Sequence, residues 1–229
     1  MDWGALVPTL VGGAISLVSS VAVFTLAERA ERKKKEKNRR EEQAADAFVG
    51  LQKLMYSLNA IENLARHIET EFRSAEGDGG ANMEPAAIVR TIVGSDSRIE
   101  DLQTKEFAFL IDETGELAAK IAEIQERCKN SMAAVQTFNE LKADYDRFVE
   151  ENAEFEEIEG NLATMVFKDR DAKVAELKVG RMNQLLASII ASLEEDRKQV
   201  REVTSEFIKK AVESFGDEFP ARSLEMRVP

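Results

Sequence analysis

The sequence predicts an all-α protein: one N-terminal transmembrane helix continuing into a cytoplasmic antiparallel helical bundle with a long helical hairpin. Three observations carry that expectation. The 229 residues hold only four Pro and twelve Gly, with 32% charged side chains and few aromatics, a composition that favours long helices over sheets. Residues 3–27 contain no charge at all. Beyond them, apolar residues recur at alternating steps of three and four.

The uncharged stretch from Trp3 to Ala27 is 25 residues long. As a helix it would reach about 37 Å at ~1.5 Å per residue, more than the ~30 Å of a hydrocarbon core. A cleaved signal peptide fits less well, because Asp2 stands where a basic n-region belongs and the apolar run is too long. Eight basic side chains follow directly: Arg29, Arg32, Lys33, Lys34, Lys35, Lys37, Arg39 and Arg40. None precedes the stretch. The positive-inside bias therefore places the N-terminus outside and the C-terminal domain in the cytoplasm, at an inner (cytoplasmic) membrane. The basic residues are the expected contacts to anionic headgroups. Within the span, Gly12, Ser16 and Ser20 fall four apart on one face, a spacing that permits close helix–helix approach and self-association.

The net charge of −12 conceals a division. Residues 28–40 carry eight basic and three acidic side chains, a net +5; with Asp2 set aside, residues 41–229 carry −16. Such a body repels phosphate backbones, which argues against nucleic acid as a partner and for a basic protein surface.

The helix has no terminator after Ala27 and is expected to run on. Leu51, Leu54, Leu58, Ile61, Ala65, Ile68 and Phe72 form its apolar stripe, widened by Phe48, Met55 and Leu64, which suits a bundle core. An end near Ser74 is predicted, followed by a Gly-rich loop over 76–85 that lacks the lysine and hydroxyl of a phosphate-binding loop. A short helix over 85–94, a capping box at Ser97 and Glu100, and a turn at Thr104 come next. Phe107, Leu110 and Ile111 are expected to insert into neighbouring helices, with Phe109 the aromatic to test first as a partner contact. A long helix over 113–157 is marked by Leu117, Ile121, Ile124, Cys128, Met132, Val135, Phe138, Leu141, Tyr145 and Phe148. A break is expected at Gly160–Asn161. The last helix, over about 170–215, carries Leu177, Leu186, Ile189, Ile190, Leu193, Val200, Val203, Phe207, Ala211 and Phe215. The resulting organisation is an anchor (1–28), a basic juxtamembrane segment (29–40), a bundle (41–215) and a tail (216–229). If the last two helices outreach the first, their far ends protrude.

Chemistry is searched for and not found. His67 lacks the Glu-x-x-His spacing of di-iron bundles, since Glu62 lies five residues before it. Cys128 falls in an apolar stripe, where a thiol packs as a small hydrophobe. The glutamates of 150–160 lack a calcium-loop pattern. No catalytic, cofactor or metal site is expected, and no enzymatic activity. The leading expectation is a single-pass interaction, scaffold or signal-relay protein that docks a protein partner at the membrane face, with further copies of itself as a second class of partner. In layout, a span followed by a charged helix, the chain resembles the membrane-anchored b subunit of rotary ATP synthases. That resemblance implies a structural stalk or stator-like role as the alternative, and an envelope or lysis accessory role is a further one.

Overall fold

The computed structural model describes residues 3–77, 84–92, 99–111, 115–159 and 162–220. For residues 3–23, 76–77, 155–159 and 162–165 it describes the backbone alone. The chain is mostly helical. Helix α1 runs from Trp3 to Gly77, 75 residues, or about 110 Å at ~1.5 Å per residue. A single turn, α2, spans Pro85–Ile88. Helix α3 spans Glu116–Asn152 and α4 spans Asp169–Phe215. Two antiparallel strands, β1 (Ala153–Glu159) and β2 (Leu162–Phe167), join α3 to α4.

Cross-chain bonds give the arrangement. Arg40 reaches the carbonyl of Ser214, while Glu62 and Glu69 meet Arg197, so α1 and α4 are antiparallel. Arg127 meets Asp196 and Lys178 meets Asp144, so α3 and α4 are antiparallel as well. The described parts of the next segment, 84–92 and 99–111, lie between α1 and α3. Ala86 lies at Asn183, Ile92 at Asn139, Leu102 at Gln125 and Lys105 at Asp46. The fold is thus an up-down-up-down bundle in which the second leg is an irregular strap.

Non-helical backbone inside a bundle must find partners for its N–H and C=O groups. Here, side-chain amides supply them. Asn139 accepts from the Ile92 N–H (2.9 Å) and donates to the Ile92 carbonyl (2.9 Å). Gln125 accepts from the Leu102 N–H (3.3 Å) and donates to the Glu100 carbonyl (3.0 Å). Asn183 accepts from the Ala86 N–H at 2.7 Å. The strap in turn buries Ala86, Val89, Ile92, Ile99, Leu102 and Leu110.

The predicted stripes of α1 and α3 are the core. Leu51, Leu54, Leu58, Ile61, Ala65 and Ile68 are buried, with Leu117, Ile121, Ile124, Cys128, Met132, Val135 and Phe138 facing them from α3. At the end where α1 enters, phenylalanines close the core. Phe109 makes edge contacts with Phe207 and Phe215 at 5.3 and 5.2 Å, and Phe219 lies against Phe48 and Phe215.

Several expectations need correction. The helix predicted over 113–157 stops at Asn152, and residues 153–159 are a strand. The register explains why a strand is stable there. Phe155 pairs with Met165 and Glu157 with Thr164, leaving Glu156 as the extra residue of a bulge. The bulge resets the alternation. Ala153, Phe155 and Ile158 then fall on one face, with Phe167, Met165 and Ala163 as partners. The glutamates at 154, 157 and 159 fall on the other. Only residues 160 and 161 separate the strands, the spacing of the tightest hairpins.

Leu177 and Ile190 are 66% and 39% exposed, not core, and Ile111 is 51% exposed. Gly216 turns the chain at φ 58°, a 3-10 turn follows, and Phe219 is buried, so the bundle extends past the expected tail boundary. The short helix expected over 85–94 ends at Ile88. Gly94, Ser97, Gly160 and Asn161 lie outside the described residues. Beyond Phe138, Leu141, Tyr145 and Phe148 of the α3 stripe are half-buried while Val149 is buried; among the described residues α1 and the strap stop at about the level of Asn183. The α3–α4 pair continues without them among the described residues and ends in the β-hairpin, the protrusion anticipated above. Among the described residues no helix is long and apolar enough to cross a membrane. The side chains of the predicted span, up to residue 23, are outside that set, as are Gly12, Ser16 and Ser20.

Candidate functional site

Helix α1 leaves the bundle below Ala44. Every residue from Phe24 to Glu42 is exposed, so the basic segment is a lone helix without a packing partner among the described residues. Its helicity is local. Ala, Glu, Lys and Arg have high propensity, and three i,i+4 ion pairs brace the outside: Arg32–Glu28 (2.5 Å), Lys35–Glu31 (2.8 Å) and Lys37–Glu41 (3.6 Å). Each such pair contributes a few tenths of a kcal/mol (about 0.3–0.5). Arg40 donates to the Ser214 carbonyl at 3.1 Å, in the last turn of α4, where a cation offsets the unpaired carbonyls of the helix end. Arg29, Lys33, Lys34 and Arg39 have no ion partner among the described residues. The eight basic residues named from the sequence are thus divided: one ties the rod to the bundle, three are balanced, and four present free charge to the surroundings. Just before them, Phe24 and Leu26 are 69% and 64% exposed on the same rod.

Phe109 is half-buried, and its ring is occupied by Phe207 and Phe215 of this chain. It serves the aromatic closure of the core at the root of the rod.

Inside the bundle lie three polar locks that the periodicity of apolar residues did not reveal. The first is Asp196, 1% exposed, which accepts from Arg127 Nε at 2.9 Å and Nη2 at 2.7 Å and from Ser131 Oγ at 2.8 Å. A cleft of about 230 Å³ lies beside it, lined by Asn130, Ser131, Ala134, Ser188 and Ser192. The second is Lys53, which donates to both oxygens of buried Glu106 (2.9 and 3.1 Å) and to the Asp101 carbonyl (3.0 Å). Glu106 also accepts from the Gln103 N–H at 2.8 Å, which fixes the strap's 3-10 turn against α1. The third joins α1 to α4. Arg197 bridges Glu62 and Glu69, and Arg201 adds a second contact to Glu62 at 2.5 Å. Burial works against the Arg197 charge, and the two carboxylates outweigh it, so its pKa moves up. A signal for the first lock was present in the α4 stripe: the in-phase position between Leu193 and Val200 is Asp196. Lys53 and Glu106 left no such signal, because their partners are distant in sequence.

Each lock sets opposite charges against one another across the bundle. Cys128 is fully buried; burial and then the nearby Asp196 push its thiol up to about 12 against the lowering effect of Arg127, so the thiol stays protonated. His67 is half-buried. Among the described residues no group of three or more His, Cys, Asp or Glu comes together to hold a metal ion. No protein-family model, curated protein or solved structure matches the chain.

Proposed function

We propose that this is a single-pass, membrane-anchored interaction protein without enzymatic activity, whose helical bundle docks a protein partner at the cytoplasmic face of the membrane. The observation that carries the reading is the rod over 24–42. It is exposed all round, rich in free cations, fronted by exposed Phe24 and Leu26, and continuous with a helix over 3–23 whose sequence has no charge. Two large apolar side chains on a lone helix are unfavourable in water, by about 1.5–3 kcal/mol for each when compared with full burial. A bilayer interface removes that cost and matches the cations behind them with anionic headgroups, at about 1 kcal/mol each near the surface. The charge bias puts the acidic bundle on the cytoplasmic side, where its −16 favours a basic partner.

The stalk-like alternative has one observation in its favour: α1 passes from rod to bundle without a break, which suits a rigid spacer. Fractionation tests the anchor. After ultracentrifugation of a detergent-free lysate, the chain should pellet with membranes and resist extraction by high salt. Recovery in the supernatant removes the anchored reading. Affinity capture of the membrane-intact protein then tests docking, with a stoichiometric basic protein expected.

A further inference from the structure

Between Gln43 and Ala65, α1 carries three charges, Asp46, Lys53 and Glu62. All three are engaged within the chain: Asp46 by Lys105 at 2.9 Å, Lys53 by Glu106, and Glu62 by Arg197 and Arg201. The outer ridge of the helix is left neutral. Its exposed positions are Ala45, Val49, Gln52, Tyr56, Asn59 and Asn63, spaced 4-3-4-3-4. In a chain with 32% charged residues, these six consecutive exposed positions hold none, and Val49 and Tyr56 remain 41% and 49% exposed. The spacing follows one helix face for about 27 Å at ~1.5 Å per residue. It is the spacing of a helix–helix seam.

We propose that this ridge is a homodimer interface, seating the same ridge of a second copy in parallel about a two-fold axis. The residue types select that occupant. On a parallel two-fold each side chain meets its own copy. Ala and Val can do so by packing and Tyr by ring contact. Gln and Asn can do so because an amide both donates and accepts. A charged residue cannot, and none is present. A basic partner would be drawn instead to exposed carboxylates such as Glu123 and Glu202, which line one cleft between α3 and α4, and a neutral ridge gives it nothing to pair with. Asn at a seam also disfavours shifted registers. The parallel orientation, though not the ridge itself, rests on the anchored reading, since α1 is the element that would bring two copies side by side in one membrane. Six exposed positions are far fewer than the ~20–30 residues a side of a standard stable interface, so the shared membrane must raise the effective concentration.

Single-cysteine cross-linking of the full chain in its membranes tests the proposal. The native Cys128 is buried and stays silent. Val49→Cys, Gln52→Cys and Tyr56→Cys should each form disulfide-linked dimers on mild oxidation. Ala133→Cys and Glu140→Cys, exposed on α3, should form at least tenfold less. Adding Val49→Glu and Tyr56→Glu to the Gln52→Cys chain should cut its dimer by about tenfold, with helicity and melting unchanged. Ridge cysteines that cross-link no better than the α3 controls overturn the proposal, as does dimer formation indifferent to the glutamates. If the chain is found in the supernatant, the anchor fails and the ridge is judged alone. A sedimentation mass of two copies that falls to one with the glutamates supports it, and a monomeric wild type overturns it.

Discussion

Asp196 occupies an inward position of α4 that its neighbours Leu193 and Val200 would lead one to fill with an aliphatic side chain. Removing it leaves Arg127 without its counter-ion and Ser131 without its acceptor. Asp196→Ala should lower unfolding free energy by about 2–4 kcal/mol in urea titration, below the ~3–5 kcal/mol of a wholly buried pair because Arg127 is partly solvated. Combining it with Arg127→Met should recover much of that loss. Gly50 is a second sensitive point. A Cβ there would stand 3.0 Å from the Glu106 carbonyl oxygen and 3.1 Å from its Cβ. Glu106 is pinned by Lys53 and cannot retreat, so Gly50→Ala should cost about 1–3 kcal/mol despite its gain in helix propensity. The thiol at 128 gives a pH signature. Its folded pKa is raised from about 9 to about 12. Below pH 9 both folded and unfolded chains are protonated and nothing changes. Above it the unfolded thiol ionises first, so the thiol should lower stability by about 1.4 kcal/mol per unit towards pH 12, a contribution that Cys128→Ala removes from the pH profile. At this scale, spacing alone marked core positions such as Leu51, Ile121 and Leu186, but it also marked Leu177 and Ile190, which are exposed. The ion partners in the polar locks were not legible, because they lie 53 or more residues apart in sequence; only Asp196 left a trace, as a polar residue in phase with the α4 stripe.

Among the elements, the strap shows most clearly what periodicity misses. Side-chain amides on α3 and α4 hold its backbone at Ala86, Ile92, Glu100 and Leu102, so the helix expected over 85–94 stops at Ile88. Asn139→Leu should leave the Ile92 N–H and carbonyl unpaired, destabilise the bundle by about 1–3 kcal/mol per lost buried group, and raise hydrogen exchange at Ile92 before any change in α4. The β-hairpin was misread for a different reason. Phe155 and Ile158 sit three apart, which is helical spacing, and only the bulge at Glu156 makes that spacing compatible with one face of a strand. Phe167 stacks on Phe148 at 5.8 Å and is the hairpin's aromatic tie to α3. Phe148→Ala should therefore loosen residues 153–167 to exchange while the thermal transition of the bundle core moves little.

Across the whole molecule, the helical bundle was legible in the sequence, since three long apolar stripes cannot all stay wet; the protruding hairpin was expected only if the last two helices outreach the first. The neutral ridge of α1 was not, because it is defined by where Asp46, Lys53 and Glu62 turn, which only the packed structure gives. The segregation of charge is a property of the whole chain as well. Replacing Arg29, Lys33, Lys34 and Arg39 with Gln should weaken binding of the full chain to anionic vesicles and flatten its salt dependence, while leaving binding to neutral vesicles unchanged.

A single unbroken α-helix joins the N-terminal segment to the core layer at Leu51, so the rod is stiff in torsion. Each residue added between 29 and 40 would turn everything upstream by about 100° relative to the bundle, whereas seven would return it to within roughly 20°. The number of residues in the rod, more than their identity, thus sets the azimuth at which the head faces its neighbours.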